Sequence, residues 1–187
     1  MKNDSRKPRA ARDEKRRKSD DQAADGKRLT YAEALLLEEV LAAPPRAGRV
    51  LVAGNRSGVV VAEAMRAWPE ATVCAHAFDA HHARAIRDHL AGCGLGSEHV
   101  LCTPQVGEGY ASALFMTTPR SMPAELVLDQ LQDIYLSLAE GGSLLAAFEG
   151  DPDAALKTMR LVWPTVHVAR RAKHAVLFRA VRQGEPR

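Results

Sequence analysis

The sequence predicts a doubly wound α/β domain, with a mostly parallel seven-stranded sheet that ends in a C-terminal antiparallel hairpin. Two observations predict this fold class. Short apolar runs alternate along the chain with amphipathic segments of helix length, and this alternation requires parallel strands joined by right-handed helical crossovers. The last two apolar runs are separated only by a short basic turn, a spacing that is typical of a hairpin.

A disordered basic arm is predicted at 1–28, in front of the α/β domain at 29–187. The arm contains no Leu, Ile, Val, Phe, Trp or Tyr, so it cannot bury enough apolar area to offset its loss of conformational entropy. It holds eleven Lys or Arg and six Asp or Glu, whereas the remainder of the chain holds fifteen and seventeen. Such an arm would either contact RNA phosphates or only keep the chain soluble.

The first helix is predicted to begin after Thr30, because Thr30 and Glu33 have the spacing of a capping box. An amphipathic pattern follows as far as Pro44, which ends the helix. A buried strand over 49–53 comes next, and a Gly-containing turn leads from it into a helix over 59–67. A Trp-Pro pair ends that helix, since proline disfavours the helical conformation in the residue before it.

The rest of the chain repeats the alternation of strands and helices. Glycines and a second Trp-Pro pair mark the ends of the helices. The remaining strands are predicted at 71–78, 99–103, 111–116, 143–148, 165–170 and 174–181, and the remaining helices at 80–91, 124–139 and 153–162.

The composition argues against several classes of protein. No apolar run approaches the ~18 residues that span a bilayer, and the charged N-terminus leads into no apolar stretch of the kind that a secretory signal has. The three cysteines form no CxxC pair, so neither a disulfide framework nor a zinc site is expected. Cys74 and Cys102 lie in strand-like runs and are expected to be buried thiols. The histidines lack carboxylate partners at ligand spacing, so no metal site is predicted. A cytoplasmic protein is the resulting expectation.

The loop after the first strand is the first candidate for a binding site, because ligands of such sheets bind beyond the carboxyl ends of the strands. Gly54 can take the tight turn, and Gly58 lets the next helix approach the strand. Asn55 and Ser57 offer polar groups in the same loop. The glycine spacing is neither the dinucleotide fingerprint nor a phosphate loop.

Over about residues 30–182 the chain resembles a class I S-adenosylmethionine-dependent methyltransferase, with its Rossmann-like sheet. The resemblance is carried by the leading helix, the glycine turn after strand one, the strand–helix units and the terminal hairpin. The end of the chain is similar to the small methyltransferase domain of ribosomal RNA guanine-N2 methyltransferases. There, 136–144 matches the family's Leu…Gly-Gly entry to strand five, and 166–170 with 174–180 matches its final hairpin.

The resemblance implies that S-adenosylmethionine is the cofactor and that Gly54, Asn55 and Gly58 shape its loop. It places the family's ribose-binding acid near Asp79, two residues beyond the aligned position. Asp79 would alternatively cap the helix that follows it, a position where Asp is favoured.

The resemblance also implies a target site after strand four. Thr117, Thr118 and Pro119 stand where the family carries an Asn-Pro-Pro motif, whose carbonyl groups hold the amine of a flipped base. These three residues are therefore the candidate catalytic residues, and the implied substrate is a base amine of ribosomal RNA. The alternative is a plain loop at the end of the strand.

The chain departs from the family's pattern at four positions. Val52 replaces an acid near the end of strand one, Arg56 replaces the middle glycine, Ala77 replaces the acid that ends strand two, and Thr117 replaces the motif's Asn. These departures leave a second hypothesis open, in which the chain is a catalytically degenerate module that binds RNA, a ribosome or a protein partner.

Positive charge gathers at the predicted hairpin, where Arg170, Arg171 and Lys173 lie close together. With the basic arm, these residues would contact RNA or a ribosome. Their alternative role is to protect an edge strand, since charged side chains block the addition of a further strand.

Overall fold

The computed structural model describes residues 29–44, 46–54, 56–104, 106–117 and 123–184. The basic arm lies outside the described residues, and so do Asn55, Thr118 and Pro119. The predicted roles of these residues therefore remain predictions.

Five helices and seven strands alternate along the described chain. The helices are α1 (Tyr31–Ala42), α2 (Val59–Ala67), α3 (Ala80–Gly92), α4 (Ala124–Ser137) and α5 (Pro152–Arg160). The strands are β1 (Gly48–Ala53), β2 (Ala71–His76), β3 (Val100–Leu101), β4 (Tyr110–Thr117), β5 (Leu138–Glu149), β6 (Val166–Arg171) and β7 (Ala175–Val181).

The strands form one sheet in the order β3-β2-β1-β4-β5-β7-β6. The first five strands are parallel, and β7 is antiparallel to both β5 and β6. The predicted fold class is therefore confirmed, with the second strand of the hairpin lying inside the sheet and β6 at its edge. The strand order reverses between β1 and β4, which makes their carboxyl ends the expected place for a ligand.

Both faces of the sheet are buried, each under its own helices. On one face α1, α2 and α3 pack against residues such as Val52 and Leu114. On the other face α4 and α5 pack around Phe115, Tyr135 and Trp163. Burial on two sides explains why the central strands are continuous apolar runs rather than alternating ones.

The Gly141-Gly142 pair lies within β5. The sequence had predicted that these glycines end α4, and this prediction is wrong. α4 ends at Ser137, and β5 begins at the next residue. Gly141 has a φ of +75°, and a Cβ on Gly142 would lie 2.8 Å from the carbonyl oxygen of Ala139. The register between β4 and β5 shifts at this point, so the glycines form a bulge in a strand.

The predicted strand over 99–103 is reduced to two residues, Val100 and Leu101. β3 is an edge strand, and the chain turns away from the sheet directly after it. Cys102 is consequently exposed, so the expectation of a buried thiol is wrong there, whereas Cys74 is buried as expected.

Within the described ranges, no helix is long and apolar enough to cross a membrane. The same residues contain no group of three His, Cys, Asp or Glu side chains that could hold a metal ion.

Candidate functional site

The loop after β1 is pressed against the end of β4, and Gly54 makes this contact possible. Gly54 has a φ of +76°, and a Cβ there would lie only 1.9 Å from the carbonyl oxygen of Met116. No other residue fits without moving backbone. The contact brings Gly54 beside Thr117, so these two predicted site residues lie at one place in the molecule.

Gly58 begins α2 with a φ of +78°, and its close neighbour is another helix rather than the strand. A Cβ on Gly58 would lie 3.0 Å from Cβ of His89 in α3. The sequence had predicted a close approach of helix and strand; the residue instead lets α2 and α3 pack closely.

A buried carboxylate from α1 holds the same loop in place. Glu33 completes the predicted capping box, since its Oε2 accepts a hydrogen bond from the Thr30 backbone N–H at 2.9 Å. Its Oε1 accepts a hydrogen bond from Ser57 Oγ at 2.8 Å. The sequence indicated the cap but not the contact with the loop, because Ser57 lies 24 residues further along the chain.

At the end of β2, Asp79 is the N-cap of α3. Its Oδ1 accepts a hydrogen bond from the His82 backbone N–H at 2.8 Å, and its Oδ2 contacts His82 Nδ1 at 2.8 Å. The backbone hydrogen bond from His82 is the main cause that lowers the pKa of Asp79. The carboxylate is 54% exposed, so cap formation and contact with a ligand are compatible.

Thr117 ends β4 and lines a cavity of about 270 Å³, which we name the target cavity. The cavity lies beyond the ends of β4 and β5, between α4 and α5. Its apolar walls include Val127 and Phe148, and its carboxylates are Glu149 and Asp151. A small, mostly apolar cavity with a few polar groups is the usual form of a small-molecule site.

The two carboxylates of the target cavity each have a structural partner. Glu149 Oε1 accepts a hydrogen bond from the Ala32 backbone N–H at 3.1 Å, which ties β5 to the first turn of α1. Asp151 caps α5 and accepts from the Asp153 backbone N–H at 3.0 Å. Sequence reasoning missed both residues. The available signal was their position directly after strand five, at the same sheet edge as Gly54 and Thr117.

The basic residues of the hairpin lie on and beside β6, whose side chains are almost all exposed. Arg170 forms an ion pair with Glu38 of α1 at 2.6 Å, which uses part of its charge inside the molecule. Arg171 and Lys173 are exposed. Their contact with RNA or a ribosome remains a prediction.

Strand order, parallel core and inserted antiparallel β7 together define the fold of class I S-adenosylmethionine-dependent methyltransferases. No family model and no curated protein matches the chain, so solved structures supply the comparison. The chain is similar to the 16S rRNA N2 G1207 methyltransferase RsmC of T. thermophilus, solved with AdoMet and guanosine, at 18% identity and a TM-score of 0.63. That match covers 87% of this chain but only 41% of the T. thermophilus chain.

Two further solved structures match over more of their own length. A ribosomal protein L11 methylase from Lactobacillus delbrueckii subsp. bulgaricus has 15% identity and a TM-score of 0.62, with 81% of this chain and 77% of that one covered. An rRNA methylase from Streptococcus thermophilus has 14% identity and a TM-score of 0.60, and the match covers 83% of this chain and 98% of that one. The resemblance in fold stated from the sequence is thus confirmed, and at these identities the likeness concerns the fold.

Proposed function

We propose that the chain binds S-adenosylmethionine beyond the carboxyl ends of β1 and β2 and methylates a base amine of RNA, with ribosomal RNA as the expected substrate. The target cavity is the observation that carries this proposal. It lies beside the Gly54 loop, at the edge of the sheet where the fold places ligands. A methyl donor and a methyl acceptor would therefore meet at one edge of the molecule.

The groups around the loop after β1 suit this cofactor. Its ribose hydroxyls would donate hydrogen bonds to the exposed carboxylate of Asp79, and Gly54, Asn55 and Gly58 would shape the loop beneath it. The Arg56 side chain is exposed, so it does not need to occupy the space of the loop. Its guanidinium would pair with the carboxylate of the methionine moiety. When bound, S-adenosylmethionine would supply an activated methyl group.

The target cavity suits a planar group that carries N–H donors. Its volume of about 270 Å³ lies just below the ~300–1,000 Å³ range of ligand sites, so it would accept a single base rather than a larger ligand. Glu149 and Asp151 would accept hydrogen bonds from the exocyclic amine, the role that amide and backbone carbonyls have in the family's motif. Phe148 would contribute apolar contact from the wall.

Two features support RNA as the substrate. Arg171 and Lys173 are exposed near the edge strand, and the arm at 1–28 has a net charge of +5. Basic groups of this kind bind phosphates without reading sequence, so they would hold an RNA while one base enters the cavity.

The second candidate is a degenerate module that binds RNA, a ribosome or a protein partner without catalysis. Ala77 favours it, because this residue stands at the family's ribose-binding position, is 2% exposed and has no polar side-chain atom. Asp79 is then only a helix cap.

Calorimetric titration of the full chain with S-adenosylmethionine and S-adenosylhomocysteine separates the two candidates. We expect the wild type to bind with micromolar affinity and Asp79→Ser to bind at least about fivefold more weakly. Serine can still cap the helix, but its shorter side chain lacks the carboxylate that would accept hydrogen bonds from the ribose hydroxyls. Asp88→Ser on the exposed side of α3 is the control and should bind like the wild type. No heat from the wild type, with heat restored by Arg56→Gly, would contradict the active enzyme and locate the obstruction at position 56.

A further inference from the structure

A second cavity lies at the opposite end of the sheet from the target cavity. It has a volume of about 640 Å³ and is bounded by the carboxyl end of α1, the loop before β1, the first residues of β4, Ser143 of β5 and Arg179 of β7. We name it the amino-end cavity and define it by Arg46, Ser112, Ser143 and Arg179. Because Ser112 and Thr117 are five residues apart on β4, the two cavities are separated by roughly 16 Å of strand.

The sheet face that lies under α1 changes from apolar to polar where it enters the amino-end cavity. Ser112 and Ser143 are direct neighbours in the β4–β5 register, and Arg179 projects from β7 on the same face, opposite Leu145. Ser112 is only 4% exposed. It lines the cavity, yet within the described part of the chain its hydroxyl has no hydrogen-bond partner. Because this hydroxyl borders an open cavity, it can donate a hydrogen bond to a ligand there.

Two guanidinium groups face the same space without a counter-charge in contact. Arg46 is half-buried and stands over the Trp68 ring at 5.1 Å from its centroid. Burial, and then the nearby charge of Arg179, lower the pKa of Arg46. Among the described residues, neither Arg46 nor Arg179 forms an ion pair within 4 Å or a side-chain hydrogen bond.

Negative groups at the cavity offset only part of this charge. Glu39 is the one carboxylate among the residues that line it, and the carboxyl end of α1 adds a partial negative charge. Two guanidinium groups therefore exceed the negative charge around them. Since neighbouring like charges in a partly buried site repel, an anion bound between them would be stabilised strongly.

We propose that the amino-end cavity binds a phosphate group, held by the guanidinium groups of Arg46 and Arg179 and by the hydroxyls of Ser112 and Ser143. Arginine pairs with phosphate through two parallel N–H···O bonds, and the serines add donors for the remaining oxygens. The phosphate would belong to a free phosphate compound or to the backbone of an RNA. This site is independent of the proposed methyl transfer, because it lies at the other end of the strands.

The test compares wild-type full chain with the double variant Arg46→Gln/Arg179→Gln in titrations with pyrophosphate and with a short single-stranded RNA that ends in a 5′-hydroxyl. We expect saturable binding of at least one probe by the wild type and a loss of at least about tenfold in the double variant. Binding of pyrophosphate would identify a free phosphate compound as the ligand, and binding of RNA alone would identify the backbone.

Two variants serve as controls. Arg84→Gln removes an equally cationic but exposed side chain on α3 and should bind like the wild type, whereas Glu39→Gln should bind more tightly. Thermal unfolding and S-adenosylmethionine titration of the double variant show whether it is folded. Equal affinity in the wild type and a folded double variant would overturn the proposal, as would the absence of binding to both probes.

Discussion

At the scale of single residues, Glu33 shows how one buried carboxylate can fix a binding loop. Its two oxygens accept hydrogen bonds from Thr30 of the capping box and from Ser57 of the loop after β1. A buried acid is retained only when it has such partners. The position of the loop therefore depends on the first turn of α1, although that turn lies far from the loop in sequence.

We predict that Glu33→Gln lowers the free energy of unfolding by about 1–3 kcal/mol, because an amide cannot accept both hydrogen bonds and leaves a buried N–H without a partner. Urea denaturation measures the change. Glu38→Gln, on the exposed side of the same helix, is the control and should cost less than about 1 kcal/mol. Equal losses in the two variants would show that the contacts of Glu33 contribute no special stability.

A glycine-to-alanine substitution can cost stability through backbone strain or through a steric clash of the added Cβ. Comparison of Gly54 with Gly94 separates these two costs. Both have positive φ values, of +76° and +69°, but only Gly54 has a neighbour in the position of a Cβ. We expect Gly94→Ala to cost about 1–2 kcal/mol and Gly54→Ala a further ~1–3 kcal/mol for displaced backbone. Denaturant unfolding of both variants tests this expectation, and equal costs would contradict the packing of Gly54 against Met116.

At the scale of elements, one helix at each of the two proposed ligand regions begins at an Asp cap. Asp79 begins α3 beside the cofactor loop, and Asp151 begins α5 beside the target cavity. An Asp cap satisfies backbone N–H groups that a helix leaves unpaired. Each cap thus fixes the end of a helix next to a proposed binding region, where the proposed function gives the same carboxylate a second role.

The lowered pKa of Asp79 predicts a dependence of stability on pH. Hydrogen bonds from His82 favour the charged form in the folded protein, so the carboxylate stabilises the fold above its ordinary pKa of 3.8. This contribution is lost as the pH falls through the lower folded value. We expect Asp79→Asn, which keeps the cap, to be less stable than the wild type at neutral pH and to approach it at strongly acidic pH.

Asp133 provides a comparison, because its pKa is shifted in the direction opposite to that of Asp79. Burial raises its pKa, so its charged form disfavours the folded state at neutral pH. Asp133→Asn should therefore gain stability at neutral pH and lose that gain as the pH falls through the raised folded pKa toward the ordinary value of 3.8. Urea unfolding at a series of pH values measures both variants, and parallel pH profiles for the wild type and Asp79→Asn would refute the assignment for Asp79.

At the scale of the whole molecule, the alternation of apolar runs was enough to predict the fold class and most of the elements. The helix over 59–67 lies where the sequence placed it, because a glycine turn and a Trp-Pro pair mark its two ends. The start of β5 was missed, since Leu138 continues the helical spacing of α4 and only its contact with Tyr110 across the sheet makes it a strand residue. Local pattern cannot supply such a contact.

The candidate site could be predicted only in part, for the same reason. Gly54 was predicted because its loop directly follows strand one, and Thr117 because the family resemblance implies a target site after strand four; their roles stay predictions. Glu149 and Asp151 were missed because their importance depends on a cavity formed with α4 and α5, and the two arginines of the amino-end cavity are separated by most of the chain. Sites built from distant segments become visible only in three dimensions.

The uneven charge of the chain predicts the behaviour of the arm. Removal of residues 1–28 takes away eleven basic and six acidic residues. We expect weaker binding to RNA and a smaller dependence of affinity on salt, because fewer counterions are released from the phosphates. RNA binding to the full and shortened chains over a range of salt concentrations measures both quantities. An unchanged salt slope would exclude the arm as an RNA contact.

The most direct test of the central claim measures transfer of a labelled methyl group from S-adenosylmethionine to unmodified ribosomal RNA. We predict that the wild type labels a base amine. Glu149→Gln and Asp151→Asn, which keep their structural hydrogen bonds, should lower the rate at least about tenfold without changing cofactor affinity. Cofactor binding without any labelled RNA, or transfer at equal rates in all three proteins, would contradict the assignment of the target cavity.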